Sequence, residues 1–303
     1  MKSKLIHPRY YLGWIFVFLL KLFVLLPYKW QMNFGKLIGS LACIFAKRRY
    51  NITFQNLKTC FPNKDIVDIE KICKDSFSAI AMSGIETIIA WFMPSKKFKK
   101  IFLDKNFSND FLNRRHDSGL ILLGGHFSCM EIMGRLMVEN IDDFDVSFVY
   151  QKHKSDFFEH IMTGSRSKYA KACFQRKNVF SIIKGLLRKE IIWYAPDQDF
   201  GNERSIFVPF YNVQCATLVA TSWMADKGKS AVMPCYYIRK KDLSGYEIHI
   251  ESSWGNFPSG DDYKDALRYN QFLEKVINEY PDQYLWQHRR FKTRPEGDKP
   301  IYG

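Results

Sequence analysis

The 303-residue sequence lacks most of the short signatures that assign a chemistry at sight. It has no Gly-x-Ser-x-Gly, which excludes a serine hydrolase of the usual α/β type. It has no His-Glu-x-x-His and no P-loop, so neither a zincin nor a P-loop nucleotidase is in view. Its seven cysteines are scattered without a Cys-x-x-Cys pair, which argues against a disulfide framework and for a reducing compartment. No zinc finger, RNA-recognition motif or heptad basic region is present, so a nucleic-acid partner lacks a module. No small-x-small site follows the apolar N-terminal run, which argues against a cleaved signal peptide. Repeats, low-complexity segments and linkers are also missing. Acidic residues are few: 31 Asp and Glu stand against 45 Lys and Arg, a net charge of +14. A surface of that sign attracts anionic lipid or an acidic protein.

What is abundant is apolar and aromatic, 47% and 16% of residues. Much of it is concentrated early. Residues 10 to 28 are almost wholly apolar, with Lys21 as their one charge. As a helix this run spans roughly 28 Å, close to the core of a bilayer. Lys2, Lys4 and Arg9 precede it, and Lys29, Lys36, Lys47, Arg48 and Arg49 follow it. The expected arrangement is one anchor in residues 1–32, with a body at 33–303 on the cytoplasmic side. An amphipathic hairpin with residues 33–46, lying on the membrane, is the alternative.

Residues 64–93 read as one helix ending at Pro94. Beyond residue 118 strands and helices alternate. Strands are expected at 120–123, 146–151, 191–195, 231–238 and 246–250. Helices are expected at 127–138, 156–171, 179–188, 215–227 and 262–280. This alternation predicts an α/β fold, a mostly parallel central sheet covered by helices.

The centre of the chain is Gly124-Gly125-His126, directly after the apolar run Leu120 to Leu123. The glycines suit a sharp turn at the C-terminal end of a strand, where open α/β sheets keep their sites. Glu131 follows five residues later. From the second turn of the next helix it can reach back, accept the ring N–H of His126 and raise its basicity. In the blander reading the His caps the helix and the Glu complements its dipole.

Two further stretches carry chemistry. Pro196-Asp197-Gln198-Asp199-Phe200-Gly201 leaves the 191–195 strand with two carboxylates. It is either a turn or an Asp-x-Asp metal site of a glycosyltransferase. The tail places Arg289, Arg290, Lys292 and Arg294 within six residues, a set that suits phosphates or carboxylates. Arg166 and Lys168 are further anion-binding candidates.

Taken together these stretches resemble the late acyltransferases of lipid A synthesis, the lauroyl/myristoyl transferase family of Gram-negative bacteria. The likeness runs from His7-Pro8-Arg9-Tyr10 through Asn56-Leu57, Cys60-Phe61-Pro62, Glu86 and Ala90-Trp91-Phe92 to Gly125-His126-Phe127 with Glu131. It continues through Trp193 to Asp199, Val208-Pro209-Phe210, Ala216-Thr217, and Gln283-Tyr284-Leu285-Trp286 with His288 to Pro295. The resemblance implies a glycerolipid-acyltransferase-like fold. Its signature is a His and, after four residues, an Asp, whose place Glu131 takes. It implies catalysis by His126 and Glu131, with Arg166, Asp197, Asp199, Lys152, Arg289 and Arg290 on the substrates. The donor would be an acyl chain on acyl carrier protein, and the acceptor a Kdo-bearing lipid A precursor at the inner membrane. No cofactor or metal is implied. The sequence departs from the family at residues 150–153, where many relatives have Tyr-Arg-Pro. Gln151 stands where they have Arg, and Lys152 is left to supply the charge.

Overall fold

From residue 8 to residue 98 the described chain is helical, broken only by short turns. The computed structural model describes residues 7–114, 117–142 and 144–302. Lys2 and Lys4 lie outside the described residues. α1 (Tyr11–Phe23) and α2 (Tyr28–Phe45), joined by a short turn, are followed by α3 (Lys47–Cys60), α4 (Ile66–Phe92) and the single turn α5 (Ser95–Phe98), and α2 packs along α4.

The crossing anchor expected at residues 10–28 is not formed. α1 stops at Phe23, and its thirteen residues reach only about 20 Å. Among the described residues no helix is long and apolar enough to cross a membrane. Two local causes end α1. Pro27 caps α2 in an extended conformation that a continuing helix cannot adopt. The Lys97 ammonium donates to the carbonyls of Val24, Leu25 and Leu26, at 3.1, 2.6 and 2.8 Å, satisfying acceptors at the helix end. α1 and α2 still expose a broad apolar surface, including Leu12, Phe16, Leu19, Ile38, Leu41 and Phe45.

The α/β part follows as β1 (Phe102–Phe107), α6 (Asn109–Arg114), β2 (Gly119–Leu123), α7 (Met130–Asn140), β3 (Val146–Tyr150), α8 (Asp156–Arg166) and β4 (Cys173–Gln175). Then come α9 (Val179–Leu187), β5 (Ile191–Tyr194), β6 (Ser205–Phe210), β7 (Val213–Leu218), α10 (Ala220–Gly228), β8 (Ser230–Arg239), β9 (Gly245–Ile250) and α11 (Asp262–Glu279). The seven-stranded sheet has the order β1-β9-β8-β2-β5-β3-β4. Every pairing is parallel except β8 with β9. β2 is buried at all five positions, as a strand covered on both faces must be.

Several expectations change. β1 and β4, the two edge strands, and β6 are unforeseen. Residues 215–218 are not helix but the end of β7, which pairs with β6 as a separate antiparallel hairpin. Here Cys215 and Thr217 alternate inward beneath α11 and Asn270 reaches Thr217 Oγ1 at 3.3 Å, so packing overrides a helix-like pattern. The helix expected to run to residue 171 ends at Arg166.

Crossovers place the helical layers. The connections through α7 and α8 step across the sheet one way, and those through α9 and α10 step back. Right-handed crossovers therefore put α7 and α8 on one face and α9 and α10 on the other. α4, along which α2 packs, lies on α7 and α8. A buried ionic cluster ties α4 to the sheet. Glu86 accepts from Arg239 at 2.5 and 2.7 Å and from the Tyr246 hydroxyl at 2.7 Å.

Candidate active site

The Gly124-Gly125-His126 turn leaves β2 at its C-terminal end, at the centre of the sheet. Its glycines serve close packing at the turn, and neither adopts a left-handed conformation. A Cβ at Gly125 would lie 2.6 Å from a Leu273 methyl, and one at Gly124 would lie 3.0 Å from the Trp193 indole nitrogen. The left-handed residue is Cys129, at φ 68°. Tyrosine hydroxyls hold the turn from below: Tyr269 donates to Gly124 O at 2.7 Å and Tyr237 to Gly125 O at 3.0 Å. The 283–286 segment holds it from the side. Ser128 N–H donates to Gln283 O at 2.6 Å, and Leu285 N–H donates to His126 O at 3.1 Å.

In this rigid turn His126 meets Asp197, not Glu131. Its Nδ1 lies 2.5 Å from Asp197 Oδ1, and its backbone N–H donates to Asp197 Oδ2 at 2.9 Å. Asp197 is buried, 1% exposed, while His126 opens partly into a cleft. Burial disfavours the imidazolium. The charge of Asp197 and its hydrogen bond outweigh that, and the ring's pKa lies above its ordinary value. Burial pushes Asp197 upward too, but His126 overrides it and holds the carboxyl at about 2. With Nδ1 occupied by the carboxylate, Nε2 is the nitrogen left to accept a proton.

Glu131 sits in the first turn of α7 with different partners. Arg166 grips it through Nε at 2.8 Å and Nη2 at 2.5 Å, and the Trp91 indole and Tyr169 hydroxyl donate at 2.6 and 2.8 Å. Burial opposes its ionisation, but Arg166 prevails and its pKa is lowered. The expected contact between Glu131 and the His126 ring is therefore not made. The reason is directional: five residues on, the Glu131 side chain points toward α8 and α4, while the 191–195 strand end delivers Asp197 to the imidazole.

The remaining candidates separate. Asp199 is a structural carboxylate: it accepts from Gly201 N–H at 2.9 Å, from Thr293 N–H at 2.6 Å and from the Thr293 hydroxyl at 2.8 Å. Its own N–H donates to His288 Nε2 at 2.9 Å, and burial keeps the His288 pKa down at about 4. With Asp197 held by His126 and Asp199 by the tail, Asp197-x-Asp199 is not an open carboxylate pair for a cation. Arg290 is buried, donating to Ala216 O, Thr217 Oγ1 and Asn270 Oδ1, so it does not face a substrate. Arg289 is half-buried over the Tyr302 ring. The basic tail thus braces the site from behind, because its cations find carbonyls and rings before solvent. Lys152 is exposed on the loop after β3, beside Gln151, which lines the cleft.

That cleft, about 590 Å³, runs between β3 and α8 on one wall and α9, α10 and the 195–204 segment on the other. His126, Arg166, Met130, Trp193 and Tyr194 line it. Trp91 and Tyr169, the further donors to Glu131, carried no chemical signal in the sequence, because nothing in their spacing announces a shared carboxylate.

An acyl-transfer family is matched over nearly the whole chain. The family profile for bacterial lipid A biosynthesis acyltransferases covers residues 1–293. The chain belongs to that family. It is 35% identical to the lipid A biosynthesis palmitoleoyltransferase of Escherichia coli (strain K12), with 98% of this chain and 96% of that one aligned. It is 33% identical to the lipid A biosynthesis lauroyltransferase of the same organism, over 97% of this chain and 96% of that one. The crystal structure of the 1-acyl-sn-glycerophosphate acyltransferase PlsC from Thermotoga maritima aligns with a TM-score of 0.36 and 12% identity, over 76% of this chain and 94% of that one. As a member it is an acyltransferase, and its His126–Asp197 pair opens into the cleft.

Proposed function

We propose that the protein moves a fatty acyl chain from an acyl carrier protein thioester to the hydroxyl of a 3-hydroxyacyl chain on a Kdo-bearing lipid A precursor. The observation that carries this is the buried Asp197–His126 pair, which turns Nε2 of His126 toward the cleft. Nε2 removes the acceptor's hydroxyl proton as its oxygen attacks the thioester carbon. Asp197 fixes the tautomer and stabilises the imidazolium that forms. When the tetrahedral intermediate collapses, the carbon–sulfur bond breaks and the imidazolium returns its proton to the leaving thiolate. An ester and a free carrier thiol result.

The transient oxyanion needs a donor. The turn amides are already engaged: those of His126, Phe127 and Ser128 bond Asp197, Gly125 O and Gln283 O. Arg166 on the cleft wall takes that role in this reading, with Glu131 as the positioning residue that holds its guanidinium. The exposed apolar residues of α1 and α2 support a seat in one leaflet of the inner membrane, on its cytoplasmic side. Trp30, exposed in the first turn of α2, suits a membrane–water interface.

The test is direct. Purified protein, acyl carrier protein bearing defined chains and the acceptor are mixed, and acceptor mass is followed. One acyl chain should be gained, and none when the acceptor lacks its 3-hydroxyl. Transfer to that deoxy acceptor, or none to the native one, would refute the reading.

A further inference from the structure

We infer that the outer faces of α9 and α10 form the docking surface for an acidic carrier protein that presents the acyl thioester. This rests on the proposed donor being carrier-bound.

Four observations converge. First, α9 turns large apolar groups outward. Phe180 is 74% exposed, and Leu187, two turns along the same face, is 53% exposed. On the adjoining α10, Trp223 is 43% exposed. Large apolar groups left in water on two packed helices mark a contact surface. Second, the apolar groups are interleaved with cations. Lys184 lies between Phe180 and Leu187 on α9, Arg188 and Lys189 are exposed at its end, and Lys177 and Arg204 stand at the edge of the groove, whose far side carries Asp226, Asp262 and Asp265. The cationic side formed by α9 complements an acidic helix with an apolar stripe, by charge at the rim and apolar contact at the centre.

Third, the surface is connected to the chemistry. A groove of about 870 Å³ runs between Phe180 and Trp223. Lys177, Val179, Arg204 and Ala220 line both this groove and the cleft that holds His126. A thioester on a flexible arm could therefore pass from a carrier seated here to the imidazole without crossing the protein. Fourth, the surface lies on the opposite face of the sheet from α4, α7 and α8, and so from α1 and α2, which pack on α4. A soluble protein can reach it while α1 and α2 sit in lipid.

The test uses the full chain in vesicles and the variant Lys184→Glu combined with Phe180→Ser. Two donors are compared, the acyl carrier protein thioester and the same acyl group on free pantetheine. The KM for the carrier-bound donor should rise about tenfold with kcat little changed, while the rate from acyl-pantetheine stays within about twofold. Equal effects on both donors, or on neither, would overturn the inference. So would loss of vesicle binding with an unchanged carrier KM, because the patch would then be a lipid contact. Anisotropy of labelled, unacylated carrier protein reads docking apart from transfer. If the wild type binds it and the variant binds about tenfold more weakly, but no acyl group moves, the docking surface stands and the proposed reaction falls.

Discussion

Replacing Asp197 by Asn separates the geometry seen here from the pairing that the spacing of His126 and Glu131 suggests. Asp197 uses one oxygen for the His126 ring and the other for the His126 backbone N–H, at 2.5 and 2.9 Å. An amide has one oxygen. Its NH2 must then face one of two donors. If it faces the ring, the imidazole shifts its proton to Nε2 and the base is lost. If it faces the backbone, a buried N–H is left unpaired. Turnover should fall by roughly 10³- to 10⁴-fold, as when a buried Asp behind a catalytic His is amidated in a serine protease. Stability should fall by about 2 kcal/mol, the scale of hydrogen bonds to a charged group. Substrate KM should change little.

The pH dependence has a definite sign. His126 must be neutral to act, and its pKa is raised, so wild-type activity falls as pH drops through that raised value. The variant loses the raising charge, and its residual acid limb moves to lower pH. The stability deficit has its own window. The pair's contribution is present above the ordinary Asp pKa of 3.8 and is lost as pH falls toward about 2. It is also lost as pH rises through the raised pKa of His126. The deficit should be largest between those limits. Single-turnover rates and denaturant melts across pH measure both. If Asp197→Asn keeps turnover within about tenfold of wild type while Glu131→Gln abolishes it, Glu131 serves the imidazole and the present assignment is wrong.

Two further outcomes follow from the fold. Phe16→Asp with Leu19→Asp, both exposed on α1, should release the protein from vesicles without lowering its melting temperature; unchanged co-sedimentation would show that another surface holds it. Glu86→Ala leaves the 3%-exposed Arg239 without its carboxylate and should cost about 3–5 kcal/mol in a denaturant melt, whereas a loss below about 1 kcal/mol would mean that Arg239 finds water or another partner.

The sequence by itself determined the sheet and the family. The continuous apolar runs at 120–123 and 191–194, and the helices between them, could bury their apolar surface only as covered parallel strands. The C-terminal run Gln283 to Pro295 was legible as a signature, and its reason is structural: it pins the His126 turn and satisfies Asp199. His126 was singled out by its Gly-Gly turn after a buried strand, and the structure places it on the cleft. What only the tertiary structure decided was who meets whom. Asp197 lies 71 positions from His126, and a register of parallel strands, not a helical period, brings the two together. Glu131, close in sequence, is directed away toward Arg166, Trp91 and Tyr169. The N-terminal run shows the same division. Its apolar content was plain, but the turn at Pro27 and the Lys97 ammonium, 73 positions from Val24, decide that the helix ends at Phe23 before it can span a bilayer. Composition and periodicity report burial, which is local and additive along the chain. Hydrogen-bond partners depend on where strand ends converge, and that is fixed only when the sheet is assembled.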